Sequence, residues 1–511
     1  MMRIPYPDFR RFRACLMVWL GVLLLGGCES EPGETAPDEP LNILFLFADD
    51  QAYDALQALG DAQIVTPNLD RLVARGYTFT HAFNQGSWTG AVCVASRAML
   101  NSGLYLYHAR ADMERVTQWG EAFRQAGYRT FITGKWHNTE AMLLRAFEEG
   151  VSIGRGMYET RGGPAGPGYR RPTPSNDTWS ASDTTWLGHW QPTVYDIVAT
   201  DSGAVRGEPY TVSRHTSELY ADRALDFLDA YARQPDRPFF MYVAFNAPHD
   251  PRQAPQPYLE MYPVDEMALP PSYLPEHPFD QGERYTLRDE ILAPFPRTER
   301  AVRTHRREYY AIISHMDAQI GRILDRLDAL GLADRTLVVF TADHGLAVGR
   351  HGLMGKQNQY DHSIRVPLIF AGPGIEAGGH SDALVYLQST FATTCELAGV
   401  PVPPTVMFDS LVPVLRGASD EAYEAIFGAY RDEQRMIRTD TWKLIVYPGA
   451  RHLQLFNLQE DPHELTNLAA HPDYAPLIET LYDRLRLLQQ DVGDTLPLPE
   501  PATLERGPLV R

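Results

Sequence analysis

The sequence predicts an α/β protein: a large mixed, mostly parallel sheet sandwiched by helices, followed by a smaller C-terminal α+β domain built on an antiparallel sheet. Three observations carry this expectation. Short apolar runs rich in β-branched and aromatic residues alternate with longer helix-like segments over most of the chain. From about residue 422 the pattern changes to closely spaced short strands. With 511 residues the chain far exceeds what one core needs, so a large domain plus a small one is the natural division.

Taken in order, the chain opens on Arg3, Arg10, Arg11 and Arg13 against Asp8, then an apolar run over 14–25, then Leu25-Gly26-Gly27-Cys28. That run of about 12 residues is too short to span a bilayer as a helix and suits the core of a secretory signal. Residues 1–27 are therefore expected to be an export signal; the alternative is an uncleaved membrane anchor. Residues 28–40, acidic and Pro-rich, read as a tether.

A catalytic domain is expected over 41–420. Its clearest strands are 41–48, 129–133, 238–245, 337–341 and 366–371, and its helix candidates include 66–75, 217–231 and 307–330. Two stretches, about 138–216 and 251–299, have little periodicity and read as long loop insertions of the functional kind. The C-terminal domain, 421–511, has strand signals at 425–430, 434–438, 442–447 and 453–457, then a helix at 475–489.

Formal net charge is −19, and the basic N-terminal segment makes the remainder more acidic still. This excludes broad nucleic-acid binding. An acidic surface offers an anionic substrate no long-range attraction, so an anion site must be built locally from Lys, Arg, His or metal. Of the four cysteines, at 15, 28, 93 and 395, the first would leave with the signal, and Cys395 sits in an apolar stretch as a small buried hydrophobe.

The chemistry collects at strand ends. Asp49-Asp50 follows the first strand, Gly134-Lys135-Trp136-His137 another, Asn246-Ala247-Pro248-His249 a third and Asp343-His344 a fourth. In open α/β sheets ligands bind at that carboxyl edge. Any one of these polar groups alone is as well explained by a helix cap or a satisfied loop residue; four together are not. Asp49, Asp50 and Asp343 are hard oxygen donors with His344 beside them, a set suited to one divalent cation, Ca²⁺ first and Mg²⁺ second. The histidine leaves Mn²⁺ and Zn²⁺ open on chemistry alone. Adjacent buried carboxylates would repel each other without a cation, which favours the metal reading.

The segment Cys93-Val94-Ala95-Ser96-Arg97-Ala98-Met99-Leu100-Asn101-Ser102-Gly103 resembles the signature of the type I sulfatases, in which Cys-x-Pro/Ala-x-Arg directs oxidation of the cysteine to formylglycine. Other blocks of that family follow in order: Gly134-Lys135-x-His137, Pro248-His249, Tyr309-Tyr310-Ala311 through Asp317 to Arg322, Asp343-His344-Gly345, Lys356 before Tyr360, and Arg365-Val366-Pro367-Leu368. The resemblance spans about 42–470, ending in a tail segment from Leu455 to Leu468. Ala95 stands where Pro is commoner, Ser102 where Thr is, and Asp361 where Glu is frequent. The fold it implies is alkaline-phosphatase-like.

The resemblance also implies roles. Cys93, oxidised by a formylglycine-generating enzyme, would become an aldehyde hydrate whose one hydroxyl attacks sulfur while the other expels sulfate. The hydrate would share the cation with Asp49, Asp50, Asp343 and His344, lowering the pKa of the attacking hydroxyl. Lys135 and Lys356 would neutralise the sulfate oxygens. His249 would protonate the departing alcohol and His137 deprotonate the second hydroxyl, with the reverse assignment open. Arg97 would orient the modified side chain. The sequence resembles the bacterial lipoprotein signal at Cys28, implying lipidation there and an exported protein anchored on the periplasmic side or cell surface, the outer membrane above the inner.

The expected function is therefore removal of sulfate from a sulfated carbohydrate or polysaccharide. The alternatives are a phosphonate or phosphate-ester hydrolase with the same metal site, and an inactive glycan-binding lipoprotein. Arg297, Arg300, Arg303, Arg306 and Arg307 read as a solvated helix face, with contact to an anionic polymer as the alternative. Trp179, Trp186 and Trp190 read as loop packing, with stacking on sugar rings as the alternative.

Overall fold

The run Asn42–Asp49 is buried along its whole length and lies at the middle of a ten-stranded sheet. It pairs in parallel with Phe239–Pro248 on one side and Thr336–Ala342 on the other. Parallel Arg129–Lys135 and Glu149–Gly154 extend the first flank. On the second flank Arg365–Ala371 runs antiparallel, followed by Tyr77–Phe83 and Gly379–Tyr386. Near-continuous apolar strands are what a sheet covered on both faces requires. The computed structural model describes residues 40–154, 168–173, 179–201, 203–282 and 285–507, so the expected signal, Cys28 and almost all of the expected tether lie outside the described residues.

Alternation along one strand shows both covers. Phe239 packs edge-on against Tyr231 of the helix Thr216–Arg233, ring centroids 4.9 Å apart. Its neighbour Phe240 points the other way, stacking on Phe123 at 4.6 Å and meeting Trp119 at 5.0 Å, both from the helix Trp119–Gln125. Glu299–Ala329 is the longest helix, and its Asp317 carboxylate accepts from the Leu69 N–H at 2.7 Å and from the Asn68 N–H at 3.2 Å. It thereby caps Pro67–Arg75 from outside, where Thr66 supplies no side-chain cap.

The smaller sheet is antiparallel, ordered His452–Asn457, Trp442–Tyr447, Gln434–Arg438, Ile426–Tyr430, and it gains a fifth strand from Gly86–Ser87 of the larger part. A Cβ on Gly86 would fall 1.9 Å from the Ala429 carbonyl oxygen, so only glycine permits this seam.

Three expectations need correction. The stretch 138–216 holds a helix, Glu140–Ala146, and the strands Glu149–Gly154, Thr193–Tyr195, Ile197–Thr200, Gly203–Arg206 and Tyr210–Thr211. The long helix starts at Glu299, eight residues before the expected 307, because the Thr298 hydroxyl accepts from the Ala301 N–H. The arginine cluster is only in part a solvated face: Arg300 is exposed, but Arg297 is fully buried against Glu290 at 2.6 Å, and Arg306 is buried against Asp61 at 3.1 Å.

Candidate active site

Asp49 is the last residue of its strand, and the chain then turns through Asp50 at φ 76°, a conformation few non-glycine residues adopt. Tyr309 holds that turn: its hydroxyl donates to the Asp50 carbonyl at 2.7 Å and accepts from the Ala52 N–H at 3.0 Å. The Asp50 N–H donates to Asp343 Oδ1 at 3.1 Å, tying the first strand end to the fourth. Gly134, at φ 93°, brings its strand so close that a Cβ would sit 1.8 Å from the Ala244 oxygen, and Lys135 follows it into the site.

Cys93 lies in the first turn of Val92–Ser102, with Sγ 3.2 Å from His137 Nδ1. His137 reaches it from a second positive-φ position, 59°. His249 and His344 are each fixed by one ring nitrogen. His249 Nδ1 donates to the Asp250 carbonyl at 2.6 Å, and His344 Nδ1 to the Gly345 carbonyl at 3.0 Å. A carbonyl can only accept, so Nδ1 carries the proton in both rings and Nε2 presents its lone pair.

Charge is balanced at short range. Lys135 pairs with Asp49, Lys356 donates to both Asp50 oxygens at 2.7 and 2.8 Å, and Arg97 Nε donates to Asp343 Oδ2 at 3.0 Å. Arg97 also donates to the Lys135 carbonyl at 2.7 Å and lies over the Phe47 ring. Burial and Asp343 push the Asp49 carboxyl up, and Lys135 and Arg97 bring it below its ordinary value. Asp50, by contrast, is raised well above the carboxylate range by burial, against the pull of Lys356. Burial opposes ionisation of the Cys93 thiol, yet Lys135 and Lys356 bring it below its usual value. Burial and Lys135 depress His137 to about 3, and burial and Lys356 take His249 well below its ordinary value, so both rings are neutral at neutral pH.

The donor set fits a hard divalent cation. Ligand atoms of Asp49, Cys93, Asp343 and His344 all lie within 4.8 Å of one another, as do those of Asp49, Asp50 and His249. Asp49 Oδ1 and His344 Nε2 are buried with no hydrogen-bond partner among the described residues, which is costly for groups so placed unless they ligate.

The ten catalytic and metal-site residues singled out in the sequence, Asp49, Asp50, Cys93, Arg97, Lys135, His137, His249, Asp343, His344 and Lys356, thus converge. Beside them opens a cavity of about 740 Å³, lined by Cys93, His137, His249 and Lys356 and also by Arg206, Arg288 and Asp289. Those last three escaped sequence reading because they sit in aperiodic segments. Trp179 packs under Arg171 at 3.8 Å and Trp190 donates to the Ala181 carbonyl at 3.2 Å, both as loop packing. Cys395 is buried, and burial pushes its thiol up to about 12.

A family model described as Sulfatase matches residues 41–400, and one described as N-sulphoglucosamine sulphohydrolase, C-terminal, matches 349–491. The chain is 31% identical to a choline-sulfatase of Rhizobium meliloti (strain 1021) over 84% of this chain and 83% of that one. It is 27% identical to the iduronate 2-sulfatase of Homo sapiens, over 76% and 75%. Among solved structures, a protein in complex with its substrate D-glucosamine-2-N,6-O-disulfate superposes with TM-score 0.70 at 22% identity, covering 90% of this chain and 99% of that one. The phosphonate monoester hydrolase of Agrobacterium radiobacter does so with TM-score 0.68 at 24% identity, covering 92% and 99%. These two likenesses establish the alkaline-phosphatase-like fold.

Proposed function

The chain belongs to the sulfatase family and is a sulfate-ester hydrolase; on that premise we propose that it desulfates a sulfated carbohydrate through a formylglycine made from Cys93. The observation that carries this is the placement of Cys93 Sγ within 4.8 Å of the ligand atoms of Asp49, Asp343 and His344. Maturation by a formylglycine-generating enzyme turns Cys93 into an aldehyde hydrate, which offers one hydroxyl to attack and one to expel sulfate. Asp49, Asp50, Asp343, His344 and residue 93 would hold the cation, Ca²⁺ before Mg²⁺, which when bound supplies positive charge beside the attacking oxygen.

The chain's own groups do the rest. Lys135 and Lys356, both buried, face the charge that gathers on the nonbridging sulfate oxygens. His137, 3.2 Å from Cys93 Sγ, is suited to take the proton of the second hydroxyl. His249, its Nδ1 pinned by Asp250, offers Nε2 to the departing alcohol oxygen and delivers a proton there once an anionic ester raises its basicity. Arg97 fixes Asp343 and the end of the Lys135 strand together.

A carbohydrate is supported by the cavity, whose about 740 Å³ admits a sugar ring and its neighbour. It is also supported by the fold neighbour bound to a disulfated glucosamine. The N-terminal signal and Leu25-Gly26-Gly27-Cys28 support export and lipidation at Cys28, with anchoring on the periplasmic side or cell surface, in the outer membrane before the inner. Incorporation of an alkyne fatty acid that disappears in Cys28→Ala tests the anchor.

The ratio of kcat/KM on 4-nitrophenyl sulfate to that on 4-nitrophenyl phosphate, measured with matured enzyme, tests the function. Sulfate is expected to dominate; a dominant phosphatase would overturn the proposal.

A further inference from the structure

We infer that Arg206 is a specificity-determining residue that receives a second anionic group of the substrate, a carboxylate or another sulfate, beside the ester being cleaved. This rests on the proposed function and adds to it that the substrate carries at least two negative groups.

Arg206 ends the strand Gly203–Arg206, which pairs antiparallel with Ile197–Thr200 in a hairpin just after Tyr195. Its side chain lines the cavity that also holds Cys93, His137 and His249. The guanidinium carbon lies 4.4 Å over the Tyr195 ring. Stacking of this kind fixes the plane of the group while leaving its N–H edges directed outward.

The other cations lining the cavity are committed. Lys356 is held by Asp50 at 2.7 Å, and Arg288 Nε donates to Asp289 at 2.7 Å. Among the described residues, Arg206 has as its acidic partner only Glu140, 3.8 Å away on a carboxylate whose side chain is 54% exposed, a solvated pair of little strength. Arg206 Nε is buried with no hydrogen-bond partner among the described residues. A buried donor left so is costly, and an oxyanion from a ligand would satisfy it.

Position supports the same reading. Glu140 opens the helix Glu140–Ala146 directly after His137-Asn138-Thr139, so the pair sets Arg206 against the segment that carries His137. With net charge −19 the chain offers an anion no long-range attraction, and a dianionic substrate needs a second local cation. A substrate with a positive group next to its sulfate would be repelled at the same wall.

The test measures binding and turnover separately. In a Cys93→Ala background, calorimetry compares three sulfated disaccharides: one with a uronate, the same one with its carboxyl reduced to an alcohol, and one with a second sulfate in place of the carboxyl. Arg206→Gln is expected to weaken an arm with a second anion about 10- to 100-fold more than the reduced arm, and Arg206→Lys to keep most of the difference. Sensitivity confined to the uronate names a carboxylate; sensitivity confined to the disulfated arm names a sulfate. In matured enzyme the kcat/KM ratio of that dianionic substrate to 4-nitrophenyl sulfate should fall by the same factor. Equal weakening of all three arms, or no change in any, overturns the inference. Absence of any sulfate-ester turnover by matured wild-type enzyme would instead overturn the proposed function, while the binding comparison would still decide for or against Arg206.

Discussion

Arg97 donates its Nε to Asp343 Oδ2 at 3.0 Å with both side chains fully excluded from water. One oxygen of Asp343 is thereby committed, and Oδ1 is left facing Asp50, 3.1 Å from its N–H, and His344, 3.5 Å from its Nε2. Arg97→Ala strands a buried carboxylate and is expected to cost about 3–5 kcal/mol of stability. Arg97→Asp343 coupling is checked by urea midpoints of Arg97→Ala, Asp343→Ala and the double variant; additive losses would contradict it.

Cation binding should be visible without turnover. Three carboxylates and a histidine with a buried, unpartnered Nε2 gain from a divalent ion, which at 100 times its Kd adds about 2.7 kcal/mol to stability. Thermal unfolding of chelator-treated protein should rise with added Ca²⁺, less with Mg²⁺, and Asp49→Asn should abolish the rise. A midpoint indifferent to both ions would remove the cation from the account.

The two neutral histidines are separable by leaving group. A nitrophenolate departs without a proton, whereas an alkyl alkoxide does not. His249→Ala is therefore expected to lose about 10²–10⁴-fold on an alkyl sulfate and much less on 4-nitrophenyl sulfate. His137→Ala should lose on both alike. The opposite pattern would exchange the acid and base roles.

How much of this was legible in the sequence depended on local signal. Strands buried on both faces, such as Asn42–Asp49, announce themselves as apolar runs, and the catalytic groups follow at their ends. Tyr77–Phe83 and Gly379–Tyr386 were missed because His81, Ser381 and Asp382 interrupt the apolar pattern where these flanking strands meet solvent. Arg306 looked like a surface charge since its partner, Asp61, lies 245 residues away in the chain. Arg206 and Arg288 left no periodic trace either, and only the folded insertions bring them to the cavity.

Buried histidines predict a pH response of stability. Burial lowers His189 to about 4 and His351 to about 3, from 6.5 in an open chain. Below 6.5 the unfolded chain takes up protons that the native rings refuse, so stability falls as pH drops toward 4. Each such ring contributes a slope of up to about 1.4 kcal/mol per pH unit. Urea midpoints between pH 7 and 5 should decline, and less steeply in His189→Gln; a flat profile would contradict the assignment.

The central claim concerns residue 93, and the mass of the tryptic peptide that carries it is the most direct measurement. Produced together with a formylglycine-generating enzyme, that peptide should show the loss expected for a thiol converted to an aldehyde, with turnover of 4-nitrophenyl sulfate rising in step with the converted fraction. A peptide that keeps the thiol mass in an enzyme fully active on the sulfate ester would contradict it.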